Sequence, residues 1–202
     1  MDRTLEKYLR KDPGFFVELG AYDGVTASNT YHLEYAKGWR GVLIEPSPHL
    51  YLECLRKRSR RNNIFCNACV SFDYTDPFVE MTYCGSMSIA KSIADDVDDI
   101  EAHLHHGRKF LGEEVEFTFG AKARTLGSIL AEADAPQRID FLSLDVEGAE
   151  IEVLEGVDLS ETVFEHMLIA CRDLARLEVH LDGRGYRHVD QLSPRDHLFM
   201  PA

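Results

Sequence analysis

The sequence predicts an α/β fold of the doubly wound type, in which helices cover both faces of a mostly parallel sheet. Short apolar runs alternate along the chain with segments that have the spacing of amphipathic helices. The apolar runs are continuous, as is typical of parallel strands buried on both faces. A closing pair of strand-like segments, joined by a short loop, predicts an antiparallel C-terminal edge strand. Ligands of such sheets bind at the carboxyl ends of the strands.

The 202 residues are expected to form a single domain, with an N-terminal extension over residues 1–13. The predicted strands are 15–19, 41–45, 64–70, 139–145 and 166–171, followed by the closing pair 185–189 and 197–200. The predicted helices are 26–37, 48–60, 125–133, 149–154 and 174–181. Segment 76–120 is less regular and predicts a hairpin around a polar helix. We interpret it as an insertion that covers a substrate pocket.

The composition is that of a soluble globular protein, with 45% hydrophobic and 28% charged residues. No apolar run approaches the roughly 20 residues that span a bilayer, and the N-terminus has no signal-peptide pattern. A cytoplasmic protein without a membrane partner is therefore expected. The formal net charge of −13 disfavours nucleic acid as a partner. The basic run at 56–61 is interpreted as a solvated helix end, with a local phosphate- or acid-binding patch as the alternative.

The cysteines and histidines do not predict a metal site. The five cysteines are an odd number in a chain without a secretion signal, which favours reduced thiols in the core. Cys66 and Cys69 form a CxxC pattern in a predicted strand, where side chains three positions apart point to opposite faces. His103, His105 and His106 lie in a polar segment and are expected to be solvated rather than to bind a metal.

The loop after the first predicted strand is the first candidate binding site. Gly20 and Gly24 permit a tight turn and the close approach of a ligand to the backbone. Glu18 and Asp23 would repel a pyrophosphate but suit a ligand with positive charge and hydroxyl donors, such as S-adenosylmethionine. Tyr22 replaces the second glycine of the dinucleotide pattern G-x-G-x-x-G, which disfavours a nicotinamide cofactor. A purely structural turn is the alternative.

Glu45 ends the second predicted strand and is the second candidate. A carboxylate at this position can accept hydrogen bonds from both hydroxyls of an adenosine ribose. An exposed strand-end acid is an equal alternative when Glu45 is considered alone. The glycine loop on the neighbouring strand favours ribose binding.

A cluster of three carboxylates, Asp145, Glu147 and Glu150, ends the fourth predicted strand. Asp145 and Glu147 lie two positions apart, so they point to the same side if both continue the strand. We expect one to face the cofactor and the other the second substrate, while Glu150 caps or pairs in the following helix. The alternative is an acidic cluster that only complements the helix dipole.

Taken together, these segments resemble the FkbM-type methyltransferase family over roughly residues 15 to 200. The resemblance is carried by FVELGAYDG at 16–24, SNT at 28–30, IEP at 44–46, NACVS at 67–71, GSMS at 85–88, RTL at 124–126, DVEGAE at 145–150 and VLEG at 153–156. The carboxylate-rich segment at 145–150 is the most diagnostic of these. Two positions depart from the family pattern. Ser143 stands where the family often has lysine, and Ala170-Cys171-Arg172 where it often has a glutamate.

The resemblance implies the Rossmann-like class I methyltransferase fold, S-adenosylmethionine as cofactor, and methyl transfer to a hydroxyl of a sugar, natural product or other small metabolite. The candidate cofactor-binding residues are then Glu18, Gly20, Tyr22, Asp23, Asn29, Glu45, Pro46, Asn67, Ala68, Ser86 and Asp145. No metal ligands are assigned, although a divalent ion held by Asp145 and Glu147 stays an alternative. The oligomeric state is open, and a homo-oligomer is one alternative.

Methyl transfer is an in-line displacement that needs positioning and deprotonation of the nucleophile. We expect Asp145 and Glu147 to orient or deprotonate the acceptor hydroxyl, with His180 as a weaker candidate base. Two other functions stay open. One is a nicotinamide-dependent oxidoreductase on the same fold, and the other is an S-adenosylmethionine-binding protein without catalysis.

Overall fold

A computed structural model describes residues 2–112 and 115–202. The strands are β1 Phe15–Leu19, β2 Arg40–Ile44, β3 Asn63–Phe65, β4 Ala68–Val70, β5 Phe78–Tyr83, β6 Phe117–Thr125, β7 Arg138–Ile139, β8 Phe141–Leu144, β9 Val163–Phe164, β10 Met167–Ala170, β11 Tyr186–Gln191 and β12 Asp196–Pro201. The helices are α1 Asp2–Leu5, α2 Tyr31–Lys37, α3 Pro48–Lys57, α4 Ile100–Gly107, α5 Leu126–Glu132, α6 Glu150–Leu154 and α7 Leu174–Asp182. No helix among these is long and apolar enough to cross a bilayer.

The main sheet has seven strands in the order β11-β12-β10-β8-β1-β2-β3. All neighbours from β10 to β3 pair in parallel, and β12 runs antiparallel to both β10 and β11. The predicted mostly parallel α/β fold with an antiparallel C-terminal pairing is thereby confirmed. The antiparallel strand β12 lies one position inside the edge, which β11 occupies. The carboxyl ends of β2, β1, β8 and β10 therefore lie along one edge of the sheet.

Two apolar clusters cover the two faces of this sheet, and successive residues of β1 alternate between them. Phe15, Val17 and Leu19 pack in the first cluster, which includes buried side chains from α5, α6 and α7. Phe16 packs in the second, with side chains from the N-terminal segment, α2 and α3 around the buried Trp39. This alternation is the period of two that a strand imposes on its side chains. It also places Glu18 on the same face as Phe16.

A second, three-stranded sheet has the order β4-β6-β5, and its strands β5 and β6 lie at the two ends of the insertion. The third predicted strand, 64–70, is divided in the structure: β3 pairs with β2, while β4 pairs with β6. The chain changes sheets at Cys66 and Asn67, and the Asn67 side-chain amide donates to the Lys122 carbonyl at 3.0 Å. Hydrogen-bond partners far along the chain thus decide where the strand is interrupted, which the local apolar pattern does not encode.

Helix α2 begins at Tyr31, five residues later than the expected start at Thr26. The intervening residues are held away from helical geometry by Glu18, whose carboxylate accepts hydrogen bonds from the Ser28 hydroxyl at 2.9 Å and the Asn29 backbone amide at 3.0 Å. Ala27 has a φ of +58°, a left-handed conformation that also ends any local helix. The helical spacing therefore predicts the second half of this segment correctly and its first half wrongly.

Arg58 is the exception to the expectation that the basic run 56–61 is solvated. Its side chain is fully buried beneath the loop that follows β1. The guanidinium pairs with Glu34 at 2.6 Å and Glu18 at 3.2 Å, and it donates to the Gly24 carbonyl at 2.9 Å and the Thr30 hydroxyl at 2.9 Å. A buried guanidinium needs carboxylates and carbonyls around it, and the chain supplies them from β1, α2 and the intervening loop.

We expect the substitution Arg58→Met to lower the free energy of unfolding by about 3–5 kcal/mol, because it leaves two carboxylates buried without their partner. Urea unfolding at neutral pH measures this loss.

The exposed Arg60 offers a matched control in the same basic run. Arg60→Met should change the free energy of unfolding by no more than about 0.5 kcal/mol. Equal losses for the two variants would contradict the assignment of Arg58 as the buried pairing residue.

Candidate active site

A cleft opens at the carboxyl ends of β1, β2 and β8, beneath loops of the insertion. The cleft contains Glu18, Gly20, Tyr22, Asn29, Glu45, Pro46, Ser86, Asp145 and Glu147 in its lining. An adjoining apolar cavity shares Gly20 and Pro46 with the cleft and adds Asn67 and Ala68. The structure therefore brings together every predicted site residue except Asp23.

Gly20, directly after β1, lies against the backbone that follows β8. Its φ of +75° is a conformation that favours glycine, and a Cβ atom at this position would lie 1.9 Å from the Asp145 carbonyl oxygen. The Gly20 and Ala21 amides both donate to the Ile44 carbonyl, at 3.1 and 3.2 Å. The loop is thus fixed between β2 and β8, with its backbone open to a ligand.

Glu18 lines the cleft, but donors of the protein surround its carboxylate. Besides Ser28 and Asn29, the Thr30 hydroxyl donates to it at 2.5 Å, and Arg58 lies 3.2 Å away. Its hydrogen bonds hold residues 28–30, of which Asn29 lines the cleft as part of one wall. The Asn29 side-chain amide continues this wall to β8 by donating to the Ser143 hydroxyl at 3.0 Å.

Asp23 has a different position from the one expected of a cofactor-binding residue. One carboxylate oxygen accepts from the Val25 and Thr26 amides, at 2.9 and 2.7 Å, and the other accepts from the Lys57 ammonium at 2.8 Å. Partial burial opposes ionisation, but the Lys57 and Thr26 donors outweigh it and lower the pKa of Asp23 to about 2. The carboxylate therefore closes the turn after the loop instead of facing the cleft.

Glu45 is buried at the end of β2, where it joins two loops. One oxygen accepts from the Tyr22 amide at 2.9 Å and the other from the Ser47 amide at 2.9 Å. Burial raises the pKa of Glu45 to about 7 despite these two hydrogen bonds. Each carboxylate oxygen has a second lone pair, so the group can also accept from two hydroxyl donors in the cleft.

The adjoining cavity provides an apolar slot next to Glu45. Its lining includes Pro46 and Ala68, Ile93 from the insertion, and Ala149 and Val153 from the start and the middle of the α6 segment. Such a slot suits a flat aromatic group that is attached to a polar one.

Asp145 is open to the cleft, and its carboxylate receives no hydrogen bond from any residue in 2–112 or 115–202. The surrounding protein and the charges of Glu147 and Asp196 raise its pKa to about 7. A carboxylate with these properties can accept a proton from a ligand near neutral pH.

Glu147 lies beside Asp145 although β8 ends at Leu144 and Glu147 has a φ of +55°. The chain has left strand geometry here, so the shared orientation comes from the turn rather than from the strand period. The Glu147 carboxylate accepts from Arg172 at 2.6 Å, and it lies 3.9 Å from both Arg195 and His103.

His103 is buried, so the expectation that the histidine group is solvated is wrong for this member. Its Nε2 lies 2.9 Å from the Met87 carbonyl, which requires a proton on that nitrogen.

His180, the weaker candidate base, lies on α7, 4.0 Å from Glu155 and outside the cleft lining. Glu150, the first residue of α6, accepts from the Val146 and Gly148 amides, at 3.3 and 3.0 Å, so its carboxylate closes the turn that precedes the helix.

The sequence does not predict the observed roles of three arginines at or beneath the site: Arg58, Arg172 and Arg195. The sequence shows that Arg172 lies in a segment that departs from the family pattern, but the pairing of Arg172 with Glu147 depends on the relative positions of β8 and β10. No local pattern identifies Arg195, which lies in the loop between β11 and β12. Among the residues that the structure describes, no group of three or more His, Cys, Asp or Glu side chains could hold a metal ion.

Comparisons with solved structures and with models of protein families identify similar proteins. In solved structures the fold is similar to that of methyltransferase FkbM from Methylobacillus flagellatus KT, with a TM-score of 0.55, 13% identity, and coverage of 94% of this chain and 44% of that one. It is also similar to the methyltransferase domain of METTL16, with a TM-score of 0.51, 12% identity, and coverage of 99% and 65%. Human methyltransferase 10 domain containing protein gives a TM-score of 0.51 at 10% identity, with coverage of 99% and 79%.

These identities show the fold alone, and the chain spans 44% and 65% of the length of the first two of these proteins. A search of curated protein sequences finds no significant match. The model of the methyltransferase FkbM domain matches residues 18–192, which is most of the chain and includes the whole cleft lining. The chain therefore belongs to the FkbM family of S-adenosylmethionine-dependent methyltransferases.

Proposed function

We propose that this protein transfers a methyl group from S-adenosylmethionine to a hydroxyl oxygen of a small-molecule acceptor, such as a sugar or another hydroxylated metabolite. The observation that carries the proposal is the Asp145 carboxylate. It is open to the cleft, has no protein donor among the described residues, and has a pKa raised to about 7. It can thus accept the proton that a hydroxyl must lose.

The residues of the cleft fit the proposed cofactor. Glu45 can accept hydrogen bonds from the two ribose hydroxyls, and the apolar slot beside Pro46 and Ala68 suits the adenine ring. The backbone at Gly20 and the wall at Asn29 are open to the amino-acid end of the cofactor. When bound, the cofactor supplies an activated methyl group on a cationic sulfonium.

The acceptor is proposed to bind on the Asp145 and Glu147 side of the cleft, beneath residues 85–88 of the insertion. Asp145 takes the hydroxyl proton. Glu147 is held by Arg172 and orients the hydroxyl through its remaining lone pairs. This division of roles follows from the hydrogen bonds, because Arg172 fixes one carboxylate and leaves the other to the acceptor.

The carboxylates of this cleft disfavour the alternative of a nicotinamide cofactor. Asp145 and Glu147 line the cleft beside the Gly20 loop, where such a cofactor needs donors for its pyrophosphate. A measurement of turnover distinguishes a methyltransferase from an S-adenosylmethionine-binding protein without catalysis. Transfer of the methyl group from labelled cofactor to a panel of hydroxylated sugars and metabolites provides that measurement.

Calorimetric titration tests the cofactor assignment. We expect S-adenosylhomocysteine to bind and NAD not to bind. Glu45→Gln should weaken S-adenosylhomocysteine binding about 10- to 100-fold, because an amide cannot accept the same set of hydrogen bonds.

Glu161 is exposed and lies outside the cleft lining, so it serves as the control. Glu161→Gln should leave the affinity for S-adenosylhomocysteine unchanged. Circular dichroism of both variants separates a change in binding from a loss of fold. Binding of NAD without S-adenosylhomocysteine would overturn the assignment.

The pH dependence of turnover tests the role of Asp145. Because the raised pKa keeps its proton bound at acid pH, the rate should rise as the pH increases through about 7. Asp145→Asn should lower kcat by about 10²- to 10⁴-fold and remove this rise. Unchanged turnover in Asp145→Asn would show that another group accepts the proton.

A further inference from the structure

A second cavity lies beside the arginines that contact Glu147. Its lining includes Met87, His103, His106, Arg172 and Arg195. Glu147 lines the cleft and contacts residues of this cavity, so the two spaces adjoin at its carboxylate. A molecule whose hydroxyl lies at Asp145 would therefore extend toward these cationic side chains.

Arg172 is already committed to partners within the protein. Its Nη2 donates to Glu147 at 2.6 Å and lies 3.3 Å from Nδ1 of His103. The His103 proton on Nε2 is used by the Met87 carbonyl, so Nδ1 is the acceptor in this contact. Arg172 is thus a fixed wall of the cavity.

Arg195 differs because its guanidinium has no hydrogen-bond acceptor among residues 2–112 and 115–202. Its nearest carboxylate oxygen, on Glu147, is 3.9 Å away, and its side chain is 53% exposed. The backbone beneath it is well anchored, since the Arg195 carbonyl accepts from Cys171 at 3.0 Å and its amide donates to Ser193 at 3.2 Å. A loop that is anchored by its backbone therefore presents a guanidinium without a hydrogen-bond acceptor from the described protein beside Glu147.

The acidic groups nearby do not occupy these donors. Asp99 caps α4 by accepting from the Ala102 amide at 2.9 Å, and Asp96 accepts from the Arg172 and Asp173 amides at 2.5 and 3.0 Å. Asp98, also in the lining, is exposed. In a chain of net charge −13, an anionic ligand gains nothing from the overall field and needs a specific cationic contact.

We propose that the acceptor carries an anionic group, a carboxylate or a phosphate, that binds Arg195 while its hydroxyl lies at Asp145. The inference rests on the proposed function and deepens it by naming the class of acceptor as a hydroxylated small-molecule anion. A guanidinium binds either anion through paired hydrogen bonds, which also fix the orientation of the molecule. Arg195 is then the residue that determines acceptor specificity.

Matched pairs of probes test this proposal on the complex with S-adenosylhomocysteine. Glucuronate and glucose 6-phosphate are each compared with glucose, and 3-hydroxybenzoate with 3-hydroxybenzamide, by calorimetry and by methyl transfer from labelled cofactor. Comparison of the carboxylate probes with the phosphate probe shows which of the two anionic groups the protein binds. We expect at least one anion to bind about tenfold or more tightly than its neutral counterpart.

Arg195→Gln should abolish that preference, and Arg195→Glu should reverse it, while the affinity for S-adenosylhomocysteine stays unchanged. Arg187→Gln, at an exposed arginine on β11, is the matched control and should keep the preference. Equal binding of anionic and neutral probes, or no binding of any anion to the S-adenosylhomocysteine complex, would overturn the proposal. Failure of S-adenosylhomocysteine itself to bind would instead overturn the proposed function.

Discussion

The pairing of Arg58 with Glu18 and Glu34 is the constraint on which the cleft depends. Glu18 is a carboxylate within the sheet, on the face that otherwise carries Phe16, and its burial is tolerable only with a cation and hydroxyl donors around it. Those donors come from residues 28–30, which are therefore held as an irregular segment rather than a helix turn. Through Asn29 the same arrangement extends to β8. A buried ion pair contributes little net stability, but here it determines the shape of a binding wall.

Much of the cleft could be predicted because its residues follow directly from local patterns. Gly20, Glu45 and Asp145 each come after a continuous apolar strand, and parallel pairing brings such positions to one edge. The order of the family motifs along the chain added Pro46 and Ser86, which also line the cleft. Period and position along the chain were sufficient for this part of the structure.

The remaining features depend on contacts between distant segments, which no local pattern contains. Arg58 lies in a basic run that has the composition of a solvated helix end, and only the placement of α3 under the loop buries it. His103 similarly becomes buried because its helix packs against residues 84–87 and the end of β10. Asp23 has the negative charge expected of a residue that binds a cationic cofactor, but the Lys57 ammonium lies close enough to donate a hydrogen bond to it. In each case a long-range partner overrides the preference of the segment.

The contact between Gly20 and the Asp145 carbonyl also bears on how a methyl donor and a proton acceptor are aligned. The loop that would hold the donor and the residue that would take the proton touch through their backbones, so their separation is set when the sheet folds. Many enzymes instead bring such groups together by closing a hinged lid over the substrate. Under the proposed function, the backbone contact would itself set the distance between the two groups, without closure of a hinge.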